Sequence, residues 1–376
     1  MPAAYLEQIN HPAVHREWAA WSEEKILHVA AAYSNPFRWR TRRTLAQNCI
    51  RHLRASPNVV LHVGELAYGE CPFELTGFGD PNDVQLRVDR NELFSKENIQ
   101  NLVIRTFPKG YAYGMAVDAD FHFTRYDWAL ETIHQLQHYK FVQPYSSYVD
   151  LSGDVYGQKD VPVRYASSFF FNYVQNGYMV SNTYHNRQVP TGKKKPGKKA
   201  PPHDAYSGME ISEEDETTLL RGVGATGGAL AFRESAFDTV GGFLDRCILG
   251  HADWYMAFSL VGIEPPDIHS QNYHPHYKHY VNQWRERAKA LLRNVGYVDG
   301  HAIHYWHGSK TRRAYSSRDV ILAKHQYTPY EDVWATNQGV WQLNPNKPDL
   351  RDDIRRYFIS RYEDDPSLNG AEKLLI

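Results

Sequence analysis

Along the first third of the chain, apolar residues switch repeatedly between runs and helical spacing, and the switching predicts strands and helices in turn. Lys25 to Tyr33 (KILHVAAAY) is a short apolar run, the pattern of a buried strand. A polar, basic turn over Ser34 to Arg43 follows, then a helix with Leu45, Cys49, Ile50 and Leu53 on one face. Asn58 to Val63 reads as the second strand and Gln85 to Val88 as a weaker third. Ile99, Leu102 and Val103 give Ser95 to Thr106 a helical spacing. Tyr111 to Val117 is another strand, ending at Asp118-Ala119-Asp120. Thr124 and Asp127 resemble a capping box for a helix carrying Ile133 and Leu136, and Phe141 to Tyr145 returns as a strand. Such alternation predicts a mostly parallel sheet covered by helices.

Beyond residue 150 the pattern changes. Val155 to Tyr184 is rich in Tyr, Phe, Ser and Asn and reads as irregular or antiparallel structure. Thr191 to His203 (TGKKKPGKKAPPH) holds five lysines among Gly and Pro and cannot bury apolar surface, so a mobile loop is expected over 187–216. An acidic run, Glu210 to Glu216, follows it. His269, His274, His276 and His279 fall in a Pro- and Tyr-rich stretch that reads as a loop. Val281 to Asn294 reads as a basic helix with Gly296 as its C-cap, and Leu350 to Tyr362 as a peripheral helix.

Composition narrows the function classes. The 376 residues carry 42 Lys and Arg against 43 Asp and Glu, so no global positive field draws the chain to nucleic acid or membrane, and such binding needs a local patch. Nine Trp, 26 Tyr and 16 Phe suit contact with flat or sugar-like ligands as well as core filling. No apolar run is long enough for a transmembrane helix, and the three cysteines form neither a metal pattern nor a disulfide framework. A soluble protein of a reducing cytoplasm is the expectation.

Four segments carry candidate chemistry. Asp118 and Asp120 follow a strand at the sheet edge where α/β ligands bind, and residues i and i+2 of an extended chain share a side. A carboxylate pair of this kind can hold a hard divalent cation, though a bare DxD also reads as two surface acids. Pro36-Phe37-Arg38-Trp39-Arg40 is a basic loop after the first strand, suited to phosphates or a base, or simply a solvated helix start. Gly227 and Gly228 permit close backbone approach to a ligand. Asp253 opens a helical pattern beside Trp254 and Tyr255 and is also a plausible N-cap. His304-Tyr305-Trp306-His307 precedes Arg312 and Arg313; the imidazoles can complete a metal site and the guanidiniums can hold diphosphate oxygens.

Taken in order, these pieces resemble metal-dependent glycosyltransferases of the GT-A fold, in particular the β-1,4-galactosyltransferase group with its family-2-like relatives. Pro36, Phe37, Arg38 and Arg40 match a PFRxR loop, Asp118 and Asp120 a DxD motif, and Phe94 to Asn101 (FSKENIQN) an FNR-type segment in which Lys96 replaces arginine. Gly227, Gly228, Gly242-Phe243 and Asp253 match the glycine pair, GF element and acidic segment. The family's WGWGGED stretch is here Ile248 to Trp254 (ILGHADW), with one acid left. The motifs KEN, DAD, GHADW and HYWHGSKTRRAY also look like soluble bacteriophage glycosyltransferases, some of which modify hydroxymethylated pyrimidines in DNA.

The resemblance implies one GT-A domain over 1–376, a Rossmann-like, mostly parallel sheet flanked by helices with an inserted lysine-rich loop. Residues 25–150 would form the nucleotide half, 151–220 the insert, 221–330 the sugar and acceptor half, and 331–376 a C-terminal extension. It implies transfer, with inversion, from a nucleotide sugar, UDP-linked, to a hydroxyl. Asp118 and Asp120 with His307, or His304, would hold Mn²⁺ or Mg²⁺. Pro36, Phe37, Arg38, Arg40, Lys96, Asn98, Asp118, Gly227, Gly228, Arg312 and Arg313 would contact the donor, and Asp253 would be the base. Trp254, Tyr255, Trp306 and the lysines Lys193, Lys194 and Lys195 are expected on the acceptor side; the Lys193–Lys199 loop would track a DNA backbone. A cell-surface glycan or protein acceptor, and a non-catalytic saccharide- or nucleotide-binding module, are the rival readings. Host cytoplasm is the implied location if the chain is viral.

Overall fold

Strand β1 (Leu27–Ser34) shows how the core is divided: Leu27, Val29, Ala31 and Tyr33 pack on one face of the sheet and Ala30 on the other. In the computed structural model, residues 24–89, 92–152, 162–176, 224–265, 268, 272–308, 312–314 and 318–364 are described. After β1 come α1 (Arg40–Ala55), β2 (Val59–Tyr68), β3 (Val84–Val88), α2 (Lys96–Ile104), β4 (Tyr113–Val117), β5 (Phe121–Phe123) and α3 (Trp128–Leu136). Then follow β6 (Phe141–Gln143), β7 (Ser147–Leu151), β8 (Pro162–Ser167) and α4 (Phe169–Asn176). The second half holds β9 (Ala229–Arg233), α5 (Glu234–Val240), α6 (Ala252–Leu260), α7 (Pro275–Ala288), β10 (Val295–Tyr297) and β11 (His301–His304). Helix α8 (Asp319–Lys324), the hairpin β12 (Val333–Ala335) and β13 (Trp341–Leu343), and α9 (Pro348–Ser360) complete the described elements.

Seven strands form the main sheet in the order β10-β6-β9-β4-β1-β2-β3. Only β9 runs antiparallel to its neighbours, β4 and β6; the other pairings are parallel. This is the mixed, mostly parallel α/β architecture that the alternation predicts. Helices α1 and α3 cover one face through Cys49, Leu53, Trp128 and Ile133. The other face lies under α2 and the α5–α7 layer, where Phe232, Phe258 and Trp284 are buried. A smaller sheet, β5-β11-β7-β8, stands beside the carboxyl edge of the first. No helix among the described residues is long and apolar enough to cross a membrane.

Several expectations are corrected. Asp127 does flank α3, but its carboxylate is held by Arg125 at 2.9 Å and makes no cap bond, while Thr124 Oγ1 donates to the His301 carbonyl. Phe169 to Asn176 is a helix within the segment read as irregular or antiparallel; β8 is its antiparallel part, paired with β7 ahead of the segment. Helix α7 starts at Pro275, so His276 and His279 are helical; Pro occupies the first turn, and His274 Nδ1 accepts the His276 N–H at 3.1 Å. Gly296 is no cap. It lies inside β10, where a Cβ would strike the Tyr139 ring, and the left-handed residues after α7 are Leu292 and Arg293. The lysine-rich stretch, including Lys193, Lys194 and Lys195, lies outside the described residues.

Candidate functional site

Strand register assembles the site. Val117 pairs with Ala229, so the next residue, Asp118, meets Gly228: Asp118 N–H donates to the Gly228 carbonyl at 2.7 Å. His304 is opposite Asp150 across the parallel β11–β7 pair and opposite Phe121 across β11–β5. Tyr305 N–H then donates to the Asp120 carbonyl at 3.1 Å. The turn 118–121 is supported from beneath by α1, whose Cys49 thiol donates to the Phe121 carbonyl at 3.4 Å.

Asp120, His304 and His307 offer three ligand atoms within 4.8 Å of one another. His307 Nε2 lies 3.0 Å from Asp120 Oδ2, His304 Nε2 lies 3.8 Å from Oδ1, and the two Nε2 atoms are 3.2 Å apart. Asp120 Oδ1 is buried and has no hydrogen-bond partner among the described residues. His304 Nδ1 contacts Asp150 Oδ1 at 2.7 Å, which fixes its Nδ1–H tautomer and turns an Nε2 lone pair toward Asp120. Burial opposes charge on Asp120, but His307, His304 and Arg313 outweigh it and hold the carboxyl well below its usual range. Burial and Arg313 hold His307 down to about 4, whereas for His304 the pull of Asp120 and Asp150 exceeds burial and raises it. An orphaned carboxylate oxygen beside two oriented imidazoles fits a divalent cation of the Mn²⁺ type.

Asp118 is turned to other partners. Its Oδ1 lies 3.0 Å from Lys96 Nζ and its Oδ2 accepts the Gly228 N–H at 3.3 Å. Of the two carboxylates, Asp120 alone falls in the compact donor set, while Asp118 is paired with Lys96. Lys96 Nζ also lies 3.3 Å from Glu97, a buried acid with no sequence signal of its own. Burial pushes the Glu97 carboxyl up to about 7 against the pull of Lys96. For Lys96, burial is outweighed by Asp118, Glu97 and Asp253, so its charge persists far into the alkaline range.

Asp253 lies in the first turn of α6, with Oδ2 at 3.5 Å from Thr226 Oγ1. A Cβ at Gly227 would collide with that carboxylate and come within 3.9 Å of Asp118 Oδ2, so only glycine leaves room there. The Tyr145 hydroxyl donates to the Gly227 carbonyl, and Gln143 holds the Ala225 carbonyl at 2.9 Å. His251, immediately before α6, adopts φ 69° and ψ 0°, a left-handed conformation that costs a non-glycine residue about 1–2 kcal/mol.

The basic loop lies at the end of β1, beside a groove lined by Pro36, Arg38, Tyr68 and Glu74. Arg38 is spent on Glu74 at 3.3 Å, and Phe37 packs against Trp39. The α1 N-terminus takes its cap from the far end of the chain: Asp364 accepts the N–H groups of Arg40 and Thr41, each at 2.7 Å. Glu363, fully buried, is gripped by Arg42 at 2.6 Å and Arg361 at 2.7 Å. Burial alone would raise the Glu363 carboxyl, but the two guanidiniums hold it at about 2.

Other expected residues fall elsewhere. Asn98 is buried and clamps the β12–β13 hairpin, donating to the Gly339 carbonyl at 3.2 Å and accepting from Trp341 N–H at 3.1 Å, so it does not serve a donor. Tyr255 is fully buried against His251 and Tyr277 and serves packing, not an acceptor. Trp254 is half-buried on Phe258, and Trp306 is half-buried beside His307 in sequence. Arg312 stacks over Tyr362 at 4.7 Å; Arg313 is buried, donates to the Gly308 carbonyl at 3.2 Å and exerts its charge on Asp120. Register, not a motif, delivers Asp150, and chain reversal delivers Glu363 and Asp364; only the C-terminal acids' proximity to Arg361 hinted at a pairing.

Solved structures similar to this chain include nucleotide-sugar glycosyltransferases. One is a Drosophila β-1,4-galactosyltransferase 7 mutant in complex with manganese, UDP-Gal and xylobiose, at 12% identity and TM-score 0.32, covering 85% of this chain and 93% of that one. Another is a mannosyltransferase from Pyrobaculum calidifontis in complex with GDP-Man and Mn²⁺, at 9% identity and TM-score 0.34, covering 96% and 81%. No family profile and no curated protein matches the chain by sequence. At such scores the functional case rests on the side chains themselves.

Proposed function

We propose that the chain is a metal-dependent glycosyltransferase that moves a sugar from a nucleotide sugar, UDP-linked, to an acceptor hydroxyl. One observation carries the reading: the orphaned Asp120 carboxylate oxygen, two imidazoles and Asp150 behind them meet at the carboxyl edge of a mostly parallel sheet, beside Asp118, Lys96 and Asp253. Asp120, His304 and His307 would hold the cation, which when bound neutralises diphosphate charge as the nucleotide departs. Lys96 presents a persistent ammonium to the same region while keeping Asp118 fixed. Gly227, lacking a Cβ, lets the Asp253 carboxylate lie against its backbone, and the Gly227–Gly228 backbone would line the sugar. Asp253 takes the proton from the acceptor hydroxyl, and attack opposite the departing nucleotide gives inversion.

The acceptor we propose is a hydroxymethylated pyrimidine of duplex DNA, in keeping with the phage-like motifs and the lysines of 193–199. The test begins with a panel of UDP-, GDP- and dTDP-sugars in Mn²⁺, read by thermal shift and donor turnover. Transfer is then measured to a duplex containing 5-hydroxymethylcytosine and to an oligosaccharide panel. Asp253→Asn is expected to keep Mn²⁺-dependent donor binding and lose transfer by at least about 100-fold. Transfer at a near wild-type rate in this variant removes the base assignment; transfer confined to oligosaccharides removes the DNA acceptor.

A further inference from the structure

We infer that Glu363 is a positioning residue that couples the proposed cation site to the start of α1, holding the backbone that carries His307 while it grips Arg42. The inference deepens the transferase reading and rests on its cation site. Arg361 follows α9, and Tyr362 then turns the chain with φ 40°, a left-handed conformation that a residue with a side chain seldom adopts. Arg312 stacks on the Tyr362 ring, and the next two residues reach α1. Asp364 takes the first helical N–H groups, and Glu363 takes Arg42. Arg42 Nε and Nη2 donate to the two Glu363 oxygens at 2.9 and 2.6 Å, a bidentate fork. Arg42 Nη1 donates to the carbonyl of Ser34, the last residue of β1, at 3.5 Å.

The same carboxylate-bearing residue lies against the metal arm. A Cβ on Gly308 would lie 3.2 Å from Glu363 Cγ, 3.6 Å from its Cα and 3.7 Å from the Arg361 carbonyl oxygen. The residue after His307 therefore rests directly on the segment that follows α9. The Gly308 carbonyl accepts from Arg313 Nη2 at 3.2 Å, and the Arg313 carbonyl accepts from the Tyr357 hydroxyl of α9 at 3.0 Å. His307 thus enters the donor set from a backbone clamped between Arg313 and Glu363. A fully buried carboxylate joins that backbone to α1, so loosening its grip on Arg42 shifts the ground under His307.

Charge and position act in opposite senses here, which separates them. Asp120 acts on the Arg42 guanidinium through space, so removing positive charge at residue 42 favours a cation. Loosening Glu363 displaces His307 and disfavours one. Arg42→Lys keeps the charge and gives up the fork. Glu363→Gln keeps the volume and removes the charge that balances Arg42 and Arg361. Breaking a buried ion pair on one side is strongly destabilising, so Arg42→Lys, which leaves Arg361 on Glu363, carries the test if Glu363→Gln does not fold.

Mn²⁺ binding to the full chain is titrated calorimetrically, at a temperature where thermal unfolding shows each variant folded. Arg42→Lys is expected to weaken Mn²⁺ binding about 3-fold and Glu363→Gln about 10-fold. A merely structural role would lower the melting temperature and leave Mn²⁺ affinity unmoved. Wild-type affinity in Arg42→Lys overturns the inference even where Glu363→Gln binds weakly, since loss of a negative charge alone accounts for that. A wild-type chain that binds no Mn²⁺ overturns the inference together with the cation site. The two graded losses in a chain that turns over no nucleotide sugar uphold the inference and end the transferase reading alone.

Discussion

At the residue scale, Asp150 acts on the proposed metal set through His304. Its contact with His304 Nδ1 at 2.7 Å sets the direction of the Nε2 lone pair and raises its basicity. Asp150→Asn preserves the volume and an acceptor oxygen but removes the charge. Mn²⁺ affinity, followed by calorimetric titration, should fall about 10- to 100-fold in this variant. Affinity equal to wild type would show that the carboxylate has no part in orienting the ligand. The acid was invisible in the sequence because a single Asp in SSYVDL carries no spacing signal; the β11–β7 register gives it meaning. Asp118, Asp120, His304, His307, Lys96, Gly227 and Asp253, by contrast, each stood in a short motif, and the structure brings them to one sheet edge.

At the scale of elements, legibility followed periodicity. Strands β1, β2 and β4 were readable as short apolar runs buried on both faces, and helix α1 because it buries one face through Cys49 and Leu53. Helix α7 was read late because His274-Pro275-His276 looks like loop chemistry, although proline in a first turn is favourable. Gly296 was misread for a related reason: glycine after a basic helix suggests a cap, while its real constraint is tertiary. The Tyr139 ring fills the place of a Cβ in β10, at the edge of the main sheet. Gly296→Ala should therefore force β10 away from β6 and cost about 1–3 kcal/mol in urea unfolding, with donor affinity retained. A midpoint within error of wild type would mean that Tyr139 simply turns aside.

For the whole molecule, burial of histidines ties stability to pH. His28 and His62 lie on neighbouring strands with their ring nitrogens 3.1 Å apart, enclosed by Phe107. Burial first, then the neighbouring His28, holds His62 down to about 4. His28 and His52 are lowered by burial as well, and His122 is held at about 4. The unfolded chain binds a proton at each such site near pH 6.5 and the folded chain does so only below that, so this stability is complete above about pH 6.5 and drains away as pH falls toward 4. Glu97 acts in the opposite sense: burial raises it to about 7, so its contribution is present below about pH 4.5 and is lost as pH rises through 7. The overall curve is thus a sum of opposed slopes, and one histidine must be isolated by difference. His62→Gln keeps a polar partner for His28 without a titrating group in this range. Between pH 7 and pH 4.5 the variant should lose less stability than wild type, by about 2 kcal/mol, in urea unfolding monitored by tryptophan fluorescence. Parallel curves for the two proteins would show that His62 takes up its proton as readily in the fold as in the unfolded chain.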